Sequence, residues 1–409
     1  MHRLSLPRSL RLLAVTLFSA ALLPIAVSAQ TNDFVNGQPA TTVIGQVDFS
    51  STDEAVTAAG LSTPEEVAVD LVRRKLYVVE SGASRVLRYD LDEALAGTPT
   101  AEAVLGQADM TSEERPVPPT ASTMNFPTGI ALDSAGRLYV ADANNYRVLR
   151  FNSPATASNG AAASAVLGQP DFTSNTASLT QDGFAAPLSV AIGPAGELWV
   201  GQANRISRWD SPATAANGAP ADGVLGQSDF TADETDVTAE ILGKVSALTV
   251  APDGTLFAAD AERNRVLRYD DAINKSNGAA ADGVLGQPDF TSSGSGSDAA
   301  GLDFPAGLAL DSNGRLYISD SANLRVIWFN DAATPADGAP ADGVLGKADL
   351  SGTEVSGGDR TLNYPSGLAL SADNELWVVE IESYRVLGFT YEAADDGSDG
   401  GEPTALQHC

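Results

Sequence analysis

The chain has 409 residues, with 53 acidic against 24 basic side chains, a formal net charge of −29, two histidines and one cysteine. That balance repels nucleic-acid phosphates, whose binding rests on Lys and Arg, and the lone Cys409 excludes an intrachain disulfide. Four lysines (Lys75, Lys244, Lys275 and Lys347) stand against twenty arginines, an acidic, lysine-poor surface of the kind that stays solvated at high salt.

The first element reads as an export signal. Arg3, Arg8 and Arg11 precede an apolar run from Leu12 to Ile25, and Val27-Ser28-Ala29 places small residues on either side of a cut before Gln30. The run falls short of the roughly 20 residues that span a bilayer. We therefore expect a signal peptide at 1–29, cleaved between Ala29 and Gln30, no integral membrane span, and a secreted or periplasmic mature protein. Cleavage removes three arginines and no acid, so the charge moves to −32. A leader follows at 30–42.

From residue 43 the chain repeats itself. Val-Leu-Gly-Gln-Pro-Asp-Phe at 166–172 recurs with small changes at 43–49, 104–110, 224–230, 284–290 and 344–350. The glycines Gly45, Gly106, Gly168, Gly226, Gly286 and Gly346 are spaced by 61, 62, 58, 60 and 60 residues. Between these markers lies a triplet of runs: Phe126-Pro-Thr-Gly-Ile-Ala-Leu-Asp133, Gly136-Arg-Leu-Tyr-Val-Ala-Asp142 and Tyr146-Arg-Val-Leu-Arg-Phe151. Relatives of the triplet begin at Pro64, Pro187, Val245, Pro305 and Pro365. Each run is short, rich in Val, Ile, Leu and aromatics, and bounded by Gly, Pro, Asn or Asp, so each reads as a strand. Six units of four strands, with no convincing helical periodicity, predict an all-β, six-bladed β-propeller with four antiparallel strands per blade.

The chain opens on a fourth-strand motif and closes on a three-strand motif, Tyr364–Phe389. The N-terminal strand is therefore expected to complete the last blade, which leaves no bare edge between the termini. The ring should occupy 43–390, with an acidic, flexible tail at 391–409. Pro-x-Gly-Ile/Leu-Ala-Leu, Leu-Tyr-Val-Ala-Asp and Asn/Tyr-Arg-Val-Leu-Arg-Phe together resemble the NHL-repeat propellers over 43–390. The Val-Leu-Gly-Gln-Pro-Asp-Phe strand, with the loops at 152–160 and 210–218, is similar to exported bacterial members. The resemblance implies a fold but no single activity, since such propellers include lyases, lactonase-like hydrolases, RNA binders and interaction scaffolds.

An acid ends the second strand and an arginine opens the third in five units: Glu80/Arg85, Asp142/Arg147, Asp260/Arg265, Asp320/Arg325 and Glu380/Arg385. The third unit has Gln202/Arg205, with two residues deleted between them. Repetition favours a structural tie in every blade; the alternative is a ring of acids holding a cation in the channel. The repeated Asp48, Asp109, Asp171, Asp229, Asp289 and Asp349 read as caps for the turn that follows each one. Function is sought where the units differ, in the Ser-, Thr- and acid-rich loops before each first strand.

The catalytic inventory is thin. His2 falls in the signal and His408 in the tail, so the ring contains neither His nor Cys for a zinc site or a nucleophilic triad. The histidine-held zinc of the amidating-lyase branch has no counterpart. The resemblance to lactonase-like propellers implies a second reading, a calcium-dependent hydrolase or lyase with Ca2+ in the central channel. Its candidate ligands are Glu65 and Glu66, which replace x-Gly of Pro-x-Gly in the first unit, with Asn125, Asp303 and Asn363 just before other first strands. The leading expectation is a binding or interaction scaffold without a cofactor, recognising a protein, peptide or glycan through one face. Oligomeric state stays open.

Overall fold

Each triplet folds as a meander in which a short fourth strand pairs outside the third. The computed structural model describes residues 34–391, apart from 98, 334 and 372–374, and shows six four-stranded antiparallel sheets. Blade one comprises Pro64–Asp70, Lys75–Glu80, Arg85–Asp90 and Ala103–Leu105; blade two Pro127–Leu132, Leu138–Asp142, Arg147–Phe151 and Ala165–Leu167. Blade three comprises Pro187–Ile192, Leu198–Gln202, Ile206–Trp209 and Gly223–Leu225; blade four Val245–Val250, Leu256–Asp260, Arg265–Tyr269 and Gly283–Leu285. Blade five comprises Pro305–Leu310, Leu316–Asp320, Arg325–Phe329 and Gly343–Leu345. Blade six takes Pro365–Ser371, Glu375–Glu380 and Arg385–Thr390 from the end of the chain and Thr42–Ile44 from its beginning. The first strands touch in a closed ring, blade six against blade one included, and so wall a central channel.

Closure involves more than one strand. Thr42, Val43 and Ile44 pair with Gly388, Leu387 and Val386. Asn36 Oδ1 also accepts the Val344 N–H at 3.0 Å, the bond that Asn159, Asn217, Asn277 and Asp337 make to the fourth strands Val104, Val166, Val224 and Val284. Phe34 stacks on Tyr391 and meets Tyr317 edge-on. Phe34 and Tyr391 thus belong to the ring; the expected signal peptide at 1–29 and the rest of the tail lie outside the described residues.

Two expectations needed correction. The fourth strand is three residues long rather than seven, because the motif glycine leaves β geometry, at φ +80° to +90° in all six blades. That twist is also a packing device. A Cβ on Gly168 would stand 2.0 Å from the Phe184 ring, and one on Gly226 2.5 Å from Leu242. The first blade also carries one short α-helix, Leu91–Leu95, whose N-cap Asp90 accepts the N–H groups of Asp92 and Glu93. Five residues are too few for a periodic signal.

Apolar side chains from neighbouring blades form clusters between them, one at each of the six junctions. Each junction is plugged by one buried residue three places before the first strand: Leu61, Met124, Phe184, Leu242, Leu302 and Leu362. Burying a side chain of this size stabilises by roughly 1.5–3 kcal/mol. No helix among the described residues is long and apolar enough to cross a membrane.

Candidate functional site

The loop face is built on a repeated arrangement that begins at the plug. The residue after each plug donates its N–H to the acid, or to Gln202, at the end of the second strand. The distances are 2.6 Å for Ser62 to Glu80, 2.7 Å for Asn125 to Asp142, 3.3 Å for Ala185 to Gln202, 3.0 Å for Gly243 to Asp260, 2.7 Å for Asp303 to Asp320 and 2.6 Å for Asn363 to Glu380. The same acid holds the arginine that opens the third strand. Nε to carboxylate distances are 2.8 Å for Arg147–Asp142, 2.9 Å for Arg265–Asp260 and 2.7 Å for Arg325–Asp320, with Arg85–Glu80 and Arg385–Glu380 paired alike.

Each guanidinium then donates to loop carbonyls, as Arg147 does to Phe172, Thr120 and Thr123. Burial pushes the five carboxyls above their ordinary values, and each arginine pulls them back. Both side chains of each of these five clasps are buried. In blade three Arg205 donates to its neighbour Asn204 and to the carbonyls of Phe230 and Ala232 instead.

A second tie went unread in the sequence. The glutamine of the Val-Leu-Gly-Gln motif reaches from the end of the fourth strand to the carbonyl of the residue before the third-strand arginine of its own blade: Gln107 to Ser84 at 3.1 Å, Gln169 to Tyr146 at 2.9 Å, Gln287 to Asn264 at 2.8 Å. It also bonds the outgoing loop, as Gln107 does at both the carbonyl and the N–H of Glu114. Its signal was the repetition of Gln itself, since a polar residue repeated beside a buried strand has a partner. The repeated Asp of the motif accepts N–H groups two and three residues on (four on at Asp349), for example Ser50 and Ser51 at Asp48, and these bonds hold all six carboxyls below the ordinary range.

Fixed this way, the face presents one variable slot per blade, the residue before the first strand: Thr63, Phe126, Ala186, Lys244, Phe304 and Tyr364. Phe126, Phe304 and Tyr364 are 40%, 37% and 48% exposed, and among the described residues they are the aromatic side chains left exposed. All three take φ between +50° and +58°, uncommon for bulky residues. The turn residue of the preceding blade holds two of them there: Ser84 Oγ accepts the Phe126 N–H and Asn264 Oδ1 that of Phe304. By repeat position the blade junctions carry Ser84/Phe126, Tyr146/Ala186, Asn204/Lys244, Asn264/Phe304, Leu324/Tyr364 and Tyr384/Thr63. Three of the six junctions therefore offer an exposed aromatic ring, and Tyr146 and Tyr384 stand half-buried at two of the others.

Inside this collar lie Glu65 and Glu66, both half-buried on the first strand of blade one. Glu65 accepts a 2.7 Å bond from Ser81 Oγ, and burial pushes its carboxyl up to about 7 against the pull of Lys244, which stands before the first strand of the opposite blade. Glu66 accepts the N–H of Val67 and is pushed up to about 8 by burial, with the charge of Glu65 adding to the rise. The Lys244 ammonium lies 5.0 Å from the centroid of the Phe304 ring.

Of the five residues considered for calcium, the structure brings together Glu65 and Glu66. Asn125, Asp303 and Asn363 occupy the capped position of blades two, five and six, around the ring from one another. No group of three or more His, Cys, Asp or Glu is gathered to hold a metal among the described residues. Calcium takes six to eight oxygens, and this donor set does not fit it.

The NHL repeat matches residues 124–151 and 302–329, the first three strands of blades two and five with their plugs. No curated protein matches the chain. Among solved structures, a structural genomics protein of unknown function from Bacteroides thetaiotaomicron aligns at 14% identity over 86% of this chain and 76% of its own, with a TM-score of 0.54. An auxiliary nutrient binding protein from Bacteroides ovatus aligns at 14% identity over 87% and 77%, with a TM-score of 0.55. A streptogramin B lyase structure aligns at 12% identity over 82% and 96%, with a TM-score of 0.45. The NHL repeat is thus matched in two blades, and the same strand plan recurs in all six blades of this β-propeller.

Proposed function

We propose that this propeller is an exported binding protein that takes a basic peptide, or an exposed basic segment of a protein, across the channel mouth. The reading is carried by the placement of its exposed aromatic side chains, Phe126, Phe304 and Tyr364, in one repeat slot around that mouth. Aromatic faces bind cationic side chains and peptide backbones at low entropic cost. The formal charge of −29 favours a partner of opposite sign. The nutrient binding protein from Bacteroides ovatus shares the fold, and the likeness is one of fold.

The test is selection of a random dodecapeptide display library on the immobilised protein and on the triple variant Phe126→Ala, Phe304→Ala, Tyr364→Ala. Peptides of net positive charge should be enriched on the wild type. Synthetic copies should bind the triple variant at least tenfold more weakly, with its melting temperature unchanged. No enrichment, or equal affinity for both proteins, overturns the reading.

A further inference from the structure

One junction breaks the collar. Between Gln202 and Arg205 the second-to-third turn of blade three has two residues, Ala203 and Asn204, where the other blades have four. The short turn lacks the left-handed residue that Tyr146, Asn264 and Leu324 supply elsewhere. Neither Asn204 nor Lys244 replaces the missing ring, and Lys244 leans over Phe304. What the deletion leaves is a cavity of about 630 Å³ between blades three and four, open on the loop face.

Its lining is specific. Leu179 and Val237 supply apolar surface over the buried plug Leu242, and Asp233, Glu234 and Glu262 supply carboxylates. Asp233 accepts from Asn204 at 2.6 Å and Glu234 from Ser228 at 3.0 Å, so both are steadied with an oxygen to spare, while Glu262 stands exposed at the rim. The one cation in the lining, Arg263, is spent on the wall: it donates to the carbonyls of Ile241 and Thr235 at 2.7 and 2.9 Å and faces Asp260 at 3.6 Å. The cavity therefore offers an apolar sleeve under three carboxylates. A Lys or Arg side chain has the matching form, an aliphatic stem under a charged head.

We propose that the cavity at the junction of blades three and four seats a lysine or arginine side chain of a peptide lying across the channel mouth. This inference rests on the binding function proposed above and adds a position-specific anchor to it. In the same display experiment, wild-type protein should enrich peptides with Lys or Arg at one fixed position. Two variants address the cavity: Asp233→Asn combined with Glu262→Gln, and Ala203→Trp, which fills the opening from an exposed position. Both should still enrich basic peptides through the collar but lose the fixed position. Replacing that lysine by norleucine in a synthetic peptide should weaken binding at least tenfold to wild type and leave affinity for either variant unchanged. Enrichment without a fixed basic position, or an equal norleucine penalty in all three proteins, overturns the anchor alone. Absence of any enrichment overturns the collar reading and the anchor together.

Discussion

The Glu66 carboxylate fills the space that a side chain on Gly367 would occupy. A Cβ at Gly367 would stand 2.5 Å from both Cα and Oε1 of Glu66 and 2.7 Å from the Glu65 carbonyl oxygen. The first strand of blade six loosens there, pairing at Pro365 and next at Leu368, where blade five pairs at Pro305 and Gly307. The side chain could swing aside, but the backbone of blade one cannot. Gly367→Ala should therefore cost about 1–3 kcal/mol through overpacking at the blade-six to blade-one junction. A urea unfolding midpoint equal to that of wild type would contradict the contact.

The same pair of glutamates makes stability depend on pH. Their folded-state carboxyls are raised, from 4.5 to about 7 in Glu65 and about 8 in Glu66. The folded protein then binds more protons than the unfolded chain between about pH 4.5 and 8. Their favourable contribution is complete below that window and is lost as pH rises through it. Glu66→Gln keeps the shape and removes the titration. It should gain on wild type as pH rises, and be more stable by about 1 kcal/mol or more at pH 9. Melting curves for both proteins at pH 5 and pH 9 measure this, and a difference that does not change with pH counts against it.

The ring was legible in the sequence because its information is repeated. Six spacings near sixty residues set the blade number, and the offset of motifs at the two ends set the closure. The collar was less so. Asn125-Phe126-Pro127, Asp303-Phe304-Pro305 and Asn363-Tyr364-Pro365 look like ordinary strand openings, and apolar residues there would be assigned to the core. Their exposure depends on a positive φ held by a side chain from another blade, such as Asn264 at Phe304. Asn125, Asp303 and Asn363 carry side-chain oxygens suited to a cation, whereas each is tied to the clasp of its blade by its backbone N–H. The two-residue deletion in blade three was visible, but the cavity it opens depends on how Leu179 and Val237 fold over the junction.

Blade three also supplies an internal control for the clasps. Arg147→Ala would leave Asp142 a fully buried carboxylate without its cation, and Thr120 and Thr123 carbonyls without a donor. Such a loss costs about 3–5 kcal/mol. Arg205→Ala removes the same guanidinium, but the partner there is neutral: Gln202 is held by Ser207 Oγ at 2.9 Å and by the Ala185 N–H. Its loss should be limited to the orphaned carbonyls, about 1–3 kcal/mol. Adding Asp142→Asn to Arg147→Ala should recover part of the deficit. Equal losses at Arg147 and Arg205, with no recovery in the double variant, would mean that the buried charge is not what the arginine answers.

Closure by the N-terminal segment predicts a defect that can be repaired in trans. A chain beginning at Val47 lacks the strand Thr42–Ile44, leaves Arg385–Thr390 as a bare edge and frees the Val344 N–H that Asn36 accepts. It also loses the 2.8 Å bond from Thr42 Oγ1 to Glu375 and the side chains of Val43 and Ile44 from the junctions flanking blade six. An unpaired edge beside an opened apolar seam invites a second copy to pair with it. The truncated chain should self-associate and melt at lower temperature. A synthetic peptide spanning 34–46 should restore the monomer by adding itself as the missing strand. Sedimentation with and without the peptide reads both effects. A truncated chain that stays monomeric with an unchanged melting temperature would show that three-stranded blade six closes the ring unaided.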